Sequence, residues 1–244
     1  MQTTSLDNQN IPQKIVITGA SSGIGFEAVI ELAIKGHEVI ALARNKEKLQ
    51  NLQKIVLSLN PDAKLYPIVF DILSDEPAGL ITFIQQRWGS FNILINNAGA
   101  LINKPFKELT EFDMAEMFQS NVLGHFRMIQ ALLPHLDKKS HILNIGSMGG
   151  FQGSSKFPGL VAYSASKAAL HNLTECLAQE LINDKISVNC LALGSAQTEM
   201  LEKAFPGYES PVKAYEMGKY VADFALTGHQ FFNGKILPVA VTTP

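Results

Sequence analysis

Cysteine is scarce: the 244 residues hold two, Cys176 and Cys190, too few for a disulfide framework and not spaced as a metal clip. Both are expected to be buried thiols in a reduced, intracellular protein. Charge of one sign is also lacking. The 20 basic and 22 acidic residues leave a formal net charge of −2, so no strong field marks nucleic acid or an anionic membrane as a partner. No apolar run approaches the about 18 residues of a membrane span, and the start, MQTTSLDNQN, lacks the basic and apolar regions of a signal peptide. A cytoplasmic location is expected, and the sequon Asn172-Leu173-Thr174 then carries no meaning. The six histidines show no metal-ligand spacing. What is present is apolar. Hydrophobic residues make up 46% of the chain against 17% charged, enough to fill a core that buries roughly 70 to 75% of the unfolded surface.

Short β-branched runs alternate with helical spacing along the chain. KIVIT at 14–18 reads as a buried strand, and Ile24, Ala28, Leu32 and Ala33 after it recur at helical intervals until Gly36. Further strands are predicted at 38–43, 64–70, 92–96, 141–145, 186–193 and 235–239. Helices are predicted at 46–59, 78–88 and 160–182. A long helix is expected after Thr110, an N-cap with Asp113 three residues on, ending or kinking at Pro134. About seven strands joined by helices argue for a parallel sheet covered on both faces. Residues 1–12 read as a flexible polar arm, and 13–244 as a single domain with no internal linker or repeat.

Thr18-Gly19-Ala20-Ser21-Ser22-Gly23-Ile24-Gly25 lies between the first strand and the first helix. Glycines there allow a tight turn and close backbone approach to a pyrophosphate, and the helix start offers free N–H groups to an anion. A plain strand-to-helix turn is the bland alternative. A phosphate-binding P-loop would need Lys-Ser/Thr after the last glycine, where this chain has Phe26-Glu27. After the second strand stands Arg44, where an acidic residue would select the 2′-hydroxyl of NAD. A guanidinium pairs instead with a 2′-phosphate, so NADP(H) is expected, with NAD(H) as the alternative.

Tyr163 and Lys167 stand at i, i+4 on one predicted helix face. To exchange protons near neutral pH, the phenol's ordinary pKa of about 10 has to fall, at a cost of about 3 to 4 kcal/mol, and an ammonium beside it works in that direction. Alone, such a pair is usually a solvated helix face. Ser147, after the strand at 141–145, and Asn121 in the long helix are placed toward the same end of the sheet, where open α/β sheets bind ligands.

With TGASSGIG at 18–25, Asp71 after the third strand, NNAG at 96–99, Asn121, Ser147, YSASK at 163–167 and Gly194, the chain resembles the short-chain dehydrogenase/reductase superfamily over nearly its whole length. The resemblance implies a Rossmann-type three-layer α/β/α sandwich with a parallel, roughly seven-stranded sheet. It implies an oxidoreductase that moves hydride between NADP(H) and a carbonyl or secondary alcohol. Tyr163 would be the general acid/base, Lys167 would bind the nicotinamide ribose and lower the phenol's pKa, Ser147 would orient the carbonyl, and Asn121 would support a water-linked proton relay. The cofactor would lie along Thr18, Gly19, Ser21, Ser22, Gly23, Ile24, Gly25 and Arg44. Asp71 and Ile72 would approach the adenine, and Asn97, Ala98 and Gly99 would line the cofactor. Gly194, Ala196 and Thr198 would stand at the nicotinamide end, with Thr198 near the carboxamide. The partner would be a small-molecule carbonyl or alcohol substrate, neither nucleic acid nor membrane, and the assembly a homodimer or homotetramer.

Three features depart from the family pattern. Leu193 replaces the usual proline before Gly194, the final segment GKILPVAVTTP lacks the usual glycines, and the substrate lid, about 199–228, is short and carries Phe205, Pro206, Tyr208 and Tyr215. Leu101, Ile102, Met148, Phe151 and Phe157 suggest a mainly apolar pocket. A catalytically silent nucleotide-sensing protein of the same fold is the alternative function. Ser164-Ala165-Ser166-Lys167 spells S-x-x-K, but the S-D-N and K-T-G partners of an acyl-enzyme are absent, and Ile145 excludes Ser147 from a nucleophile elbow.

Overall fold

The computed structural model describes residues 11–241; residues 1–10 of the arm read at 1–12 lie outside the described residues. Seven strands form one parallel sheet: β1 (Lys14–Thr18), β2 (Glu38–Ala43), β3 (Leu65–Val69), β4 (Phe91–Asn96), β5 (Leu136–Ser147), β6 (Ser187–Leu193) and β7 (Ile236–Val239). Their order is β3-β2-β1-β4-β5-β6-β7. The chain steps outward from β1 to β3 and then returns, so that β4 lies on the other side of β1, with Val16 opposite Ile40 on one flank and Leu94 on the other. The order reverses between β1 and β4, which opens a crevice at the carboxyl ends of those two strands.

Alternation along each buried strand divides the core. Ile15, Ile17, Val39 and Ala41 pack with α1 (Gly23–Ile34), α2 (Lys46–Leu59) and α8 (Ala214–Thr227). Val16, Ile40 and Leu42 face the opposite layer, which contains α3 (Ala78–Trp88), α5 (Gly124–Leu132) and α6 (Val161–Glu180). Parallel strands buried on both faces read as continuous apolar runs for this reason. The three-layer sandwich inferred from the sequence is the observed fold. No helix among the described residues is long and apolar enough to cross a membrane.

Four sequence expectations need correction. The long helix after Thr110 is two helices, α4 (Glu111–Phe118) and α5, joined by a π-helical turn over Gln119–Leu123. Its start is as expected, a capping box between Thr110 and Asp113. The fifth strand begins at Leu136 because pairing with Phe91 extends it through polar residues that conceal a strand. Cys176 is exposed, and only Cys190 is buried. Lastly, the segment read as a lid at 199–228 divides: α7 (Glu199–Ala204) borders the crevice, whereas α8 buries Met217, Val221, Ala222 and Ala225 in the core.

Gly218 brings α8 against α1. A Cβ there would meet the Glu27 side chain and stand 2.9 Å from the Ala28 nitrogen. Gly218→Ala is therefore expected to destabilise the fold by about 1–3 kcal/mol, the usual range for overpacking. Urea unfolding should show a lower midpoint at unchanged slope.

Candidate active site

The crevice at the β1/β4 switch point is a cleft of about 780 Å³ that runs from Arg44 and Asp71 at one end to Phe157, Phe205 and Tyr208 at the other. The glycine loop forms its floor. Gly19 and Gly23 have φ of 69° and 60°, a left-handed backbone that favours glycine. A Cβ on Gly19 would lie 2.7 Å from the Ala98 Cα. Ser22, the N-cap of α1, makes no side-chain cap bond, and the first turn carries no acidic residue. The helix start therefore presents unsatisfied N–H groups and a partial positive charge toward the cleft.

Asn97 ties the exit of β4 to this loop. Its Nδ2 donates to the Thr18 and Gly19 carbonyls at 3.1 and 3.0 Å, and the backbone nitrogens of Asn97 and Ala98 both donate to Thr18 Oγ1 at 3.0 Å. Thr18 is fully buried in making these bonds. Gly25 is buried as well, because a Cβ there would collide with Asn97 Nδ2 and lie 2.5 Å from the Gly19 carbonyl oxygen. Thr18 and Gly25, read from the sequence as cofactor contacts, do not line the cleft; they hold its floor in shape. The other eighteen positions read as catalytic or cofactor-binding line it together: Gly19, Ser21, Ser22, Gly23, Ile24, Arg44, Asp71, Ile72, Asn97, Ala98, Gly99, Asn121, Ser147, Tyr163, Lys167 and Thr198, with Gly194 and Ala196 from the end of β6. At the turn, the Gly194 nitrogen donates to the Val239 carbonyl at 2.8 Å and extends the β6–β7 ladder.

Tyr163, Lys167, Ser147 and Asn121 converge at the centre. Lys167 is 4% exposed, and its Nζ donates to the Ile145 carbonyl at 2.8 Å and stands 5.9 Å from the Tyr163 ring centroid. Burial pushes the Lys167 ammonium down to about 8. Burial likewise pushes the Tyr163 phenol above its ordinary value, with a hydrogen bond to Ser147 pulling the other way. The expectation that Lys167 lowers the phenol's pKa is thus not met by this geometry, where desolvation outweighs the distant ammonium. Ser147 Oγ accepts from the Gly149 nitrogen at 3.1 Å, which fixes the hydroxyl at the end of β5.

Asn121 sits in the π-helical turn, a distortion frequent at functional sites. Its side chain clamps Ala100 from both directions, accepting from the Ala100 nitrogen at 2.9 Å and donating to the Ala100 carbonyl at 3.0 Å, and it also donates to Ser166 Oγ at 3.0 Å. It therefore links the segment after β4 to the helix that carries Tyr163 and Lys167.

Of the apolar side chains read as a pocket, Leu101, Met148 and Phe157 line the cleft, and Ile102 and Phe151 do not. Sequence reasoning missed Leu160, Met200 and Leu201, which complete the apolar end together with Phe205 of the segment read as a lid. It also missed Lys48, whose Nζ reaches Glu199 at 2.7 Å. The two residues are far apart in the chain and carry no local signal of meeting. Thr198 caps α7 by accepting from the Leu201 nitrogen at 3.2 Å, and Asn103 Nδ2 donates to the Ala204 carbonyl at 2.7 Å, so α7 is held at both ends.

A family model described as short chain dehydrogenase matches residues 13–209. An uncharacterized oxidoreductase of Staphylococcus aureus strain MW2 is 32% identical over 216 residues, which is 87% of this chain and 90% of the relative. A 3-oxoacyl-[acyl-carrier-protein] reductase of Thermotoga maritima is 33% identical over 191 residues, 77% of this chain and 76% of the relative. Among solved structures, a variant of actinorhodin polyketide ketoreductase with NADPH superposes with a TM-score of 0.82 at 26% identity, covering 94% of this chain and 96% of that one.

Proposed function

The chain belongs to the short-chain dehydrogenase family of oxidoreductases, and from that premise we propose that it is an NADP(H)-dependent carbonyl reductase whose general acid is Tyr163. The observation that carries the proposal is the convergence of Tyr163, Ser147, Lys167 and Asn121 in one cleft with the glycine loop, Arg44 and a set of apolar side chains. The residues present fit the cofactor. The uncapped start of α1 suits a pyrophosphate, a Cβ would fill the backbone cradle at Gly19, and Arg44 is exposed at the cleft wall with no hydrogen-bonded partner among the described residues. A bound NADPH supplies the hydride that the carbonyl carbon takes up.

The chain's own groups handle the oxygen. As negative charge grows there, the Ser147 hydroxyl and the Tyr163 phenol donate hydrogen bonds to it, and Tyr163 then gives up its proton. A phenol held above its ordinary pKa is protonated at neutral pH, which suits the reductive direction. Lys167, buried with its Nζ 5.9 Å from the Tyr163 ring centroid, would hold a ribose hydroxyl. Asn121 keeps the segment over the site in register through Ala100. Leu101, Met148, Phe157, Leu160, Met200 and Phe205 favour a carbonyl attached to an apolar body. The name of the Thermotoga relative and the NADPH held by the ketoreductase neighbour support this reading.

The test is paired calorimetric titration with NADPH and NADH, followed by NADPH oxidation against apolar ketones. Wild type should bind NADPH more tightly, and Arg44→Ala should erase most of the difference, about one to two powers of ten for a charge-assisted phosphate pair. Arg44→Ala with its preference for NADPH intact would refute the assignment of Arg44. Binding of NADPH without its oxidation by any ketone would favour the catalytically silent alternative, and failure to bind either nucleotide would refute the cofactor reading.

A further inference from the structure

Arg44 is not the only cation on this wall of the cleft. Lys48 lies in the first turn of α2, where its backbone nitrogen donates to the Asn45 cap at 2.9 Å, and its side chain lines the same cleft as Arg44. It is already engaged. Both Glu199 oxygens lie within reach of Lys48 Nζ, at 2.9 and 2.7 Å. Glu199 opens α7, which also lines the cleft, so the ion pair joins α7 to the start of α2, four residues after Arg44. Both partners remain open to water, with side-chain exposures of 42% and 58%, and such pairs contribute little to stability. Lys48 can therefore leave Glu199 at small cost.

Resting on the NADP(H) reading, we infer that Glu199 and the 2′-phosphate of the cofactor compete for Lys48, so that this pair, together with Arg44, sets the preference for a phosphorylated adenosine. With a 2′-hydroxyl the Lys48–Glu199 pair stays closed and contributes nothing to binding. A 2′-phosphate bears up to two negative charges and three acceptor oxygens. Held by the Arg44 guanidinium, it presents Lys48 with a stronger acceptor than the carboxylate. The ammonium then moves from Glu199 to the phosphate. Glu199 becomes a free carboxylate near the new anion, and its repulsion limits the gain. Removing that carboxylate should strengthen binding only where a phosphate is present.

The test uses the full chain and two fragments, 2′,5′-ADP and 5′-AMP, titrated calorimetrically at low salt into wild type, Arg44→Ala, Glu199→Gln, Lys48→Met and the double variant Lys48→Met/Glu199→Gln. All these positions are on the surface of the cleft, and no turnover is needed. Glu199→Gln should bind 2′,5′-ADP about three- to fivefold more tightly than wild type does, the size of a good exposed ion pair, with 5′-AMP unchanged. Lys48→Met should bind 2′,5′-ADP about fivefold more weakly. In the Lys48→Met background most of the gain from Glu199→Gln should vanish, the non-additivity expected of groups that share one partner. If wild type discriminates between the fragments and Arg44→Ala does not, but Glu199→Gln alters both fragments equally or neither, the competition is refuted while the NADP(H) reading stands. If wild type does not discriminate at all, both fail.

Discussion

Tyr163→Phe should lower turnover by about 10²- to 10⁴-fold, the usual worth of a positioned general acid, while NADPH binds as it does to wild type. The substitution removes one oxygen and keeps the ring in place on α6, so the glycine loop and the wall at Arg44 are untouched. What is lost is the proton delivered to the substrate oxygen and one of the two hydrogen bonds on it. Burial pushes the phenol above its ordinary pKa, and Ser147 opposes that shift. In the reductive direction the protonated phenol is the active form, so the wild-type rate should hold through neutral pH and fall only on the alkaline side. Alcohol oxidation needs the phenolate and should instead rise with pH over the same range. Steady-state rates across pH, with calorimetric binding of NADPH to both proteins, check the set. A Tyr163→Phe enzyme within tenfold of the wild-type rate would refute the assignment.

The alternation of buried strands and helices was legible because parallel strands covered on both faces must be apolar along their whole length, as KIVIT and EVIALA are. The bounds 46–59 and 78–88 coincide with α2 and α3, where Asn45 and Gly89 give local start and stop signals. Local signals failed where tertiary contacts decide. Nothing in EFDMAEMFQSNVLG breaks a helix, and the π-helical turn accompanies bonds between Asn121 and Ala100, which belongs to another element. The amino half of β5 is hidden in Asp137-Lys138-Lys139-Ser140, where pairing rather than hydrophobicity makes the strand and Lys139 takes a φ of 68°. At the site, Tyr163 and Lys167 were legible because helical spacing alone brings them together. Lys48 and Glu199 were not, since their meeting depends on how α7 lies against α2. The glycine motif indicated the crevice but not which of its members face it, and Thr18 and Gly25 turn inward.

Lys167→Met should make the chain more stable at neutral pH while abolishing turnover. The ammonium is buried, with the Ile145 carbonyl as its hydrogen-bonded acceptor. None of the titratable neighbours supplies a negative charge at that pH. Burial pushes the Cys190 thiol up to about 12, so it is neutral. His125 is pushed down to about 3 and His171 to about 4, chiefly by burial and further by Lys167 itself, so both are neutral. With the folded-state pKa near 8 against an ordinary 10.5, the unfolded chain holds the proton more tightly, and charging Lys167 in the fold costs on the order of 3 kcal/mol. That penalty is complete below pH 8 and shrinks as pH rises from 8 to 10.5, where wild type should gain stability relative to the variant. Methionine fills a similar volume without the charge, at the loss of one hydrogen bond to Ile145 worth about 1 kcal/mol. The net gain near pH 7 is then about 2 kcal/mol, disappearing toward pH 10.5. Urea unfolding of both proteins across pH 6 to 10.5 reads this directly. A variant less stable than wild type at pH 7, by an amount independent of pH, would show that Lys167 is held without strain. The expected outcome instead places a destabilising charge where the proposed chemistry needs it, which is how active sites commonly trade stability for function.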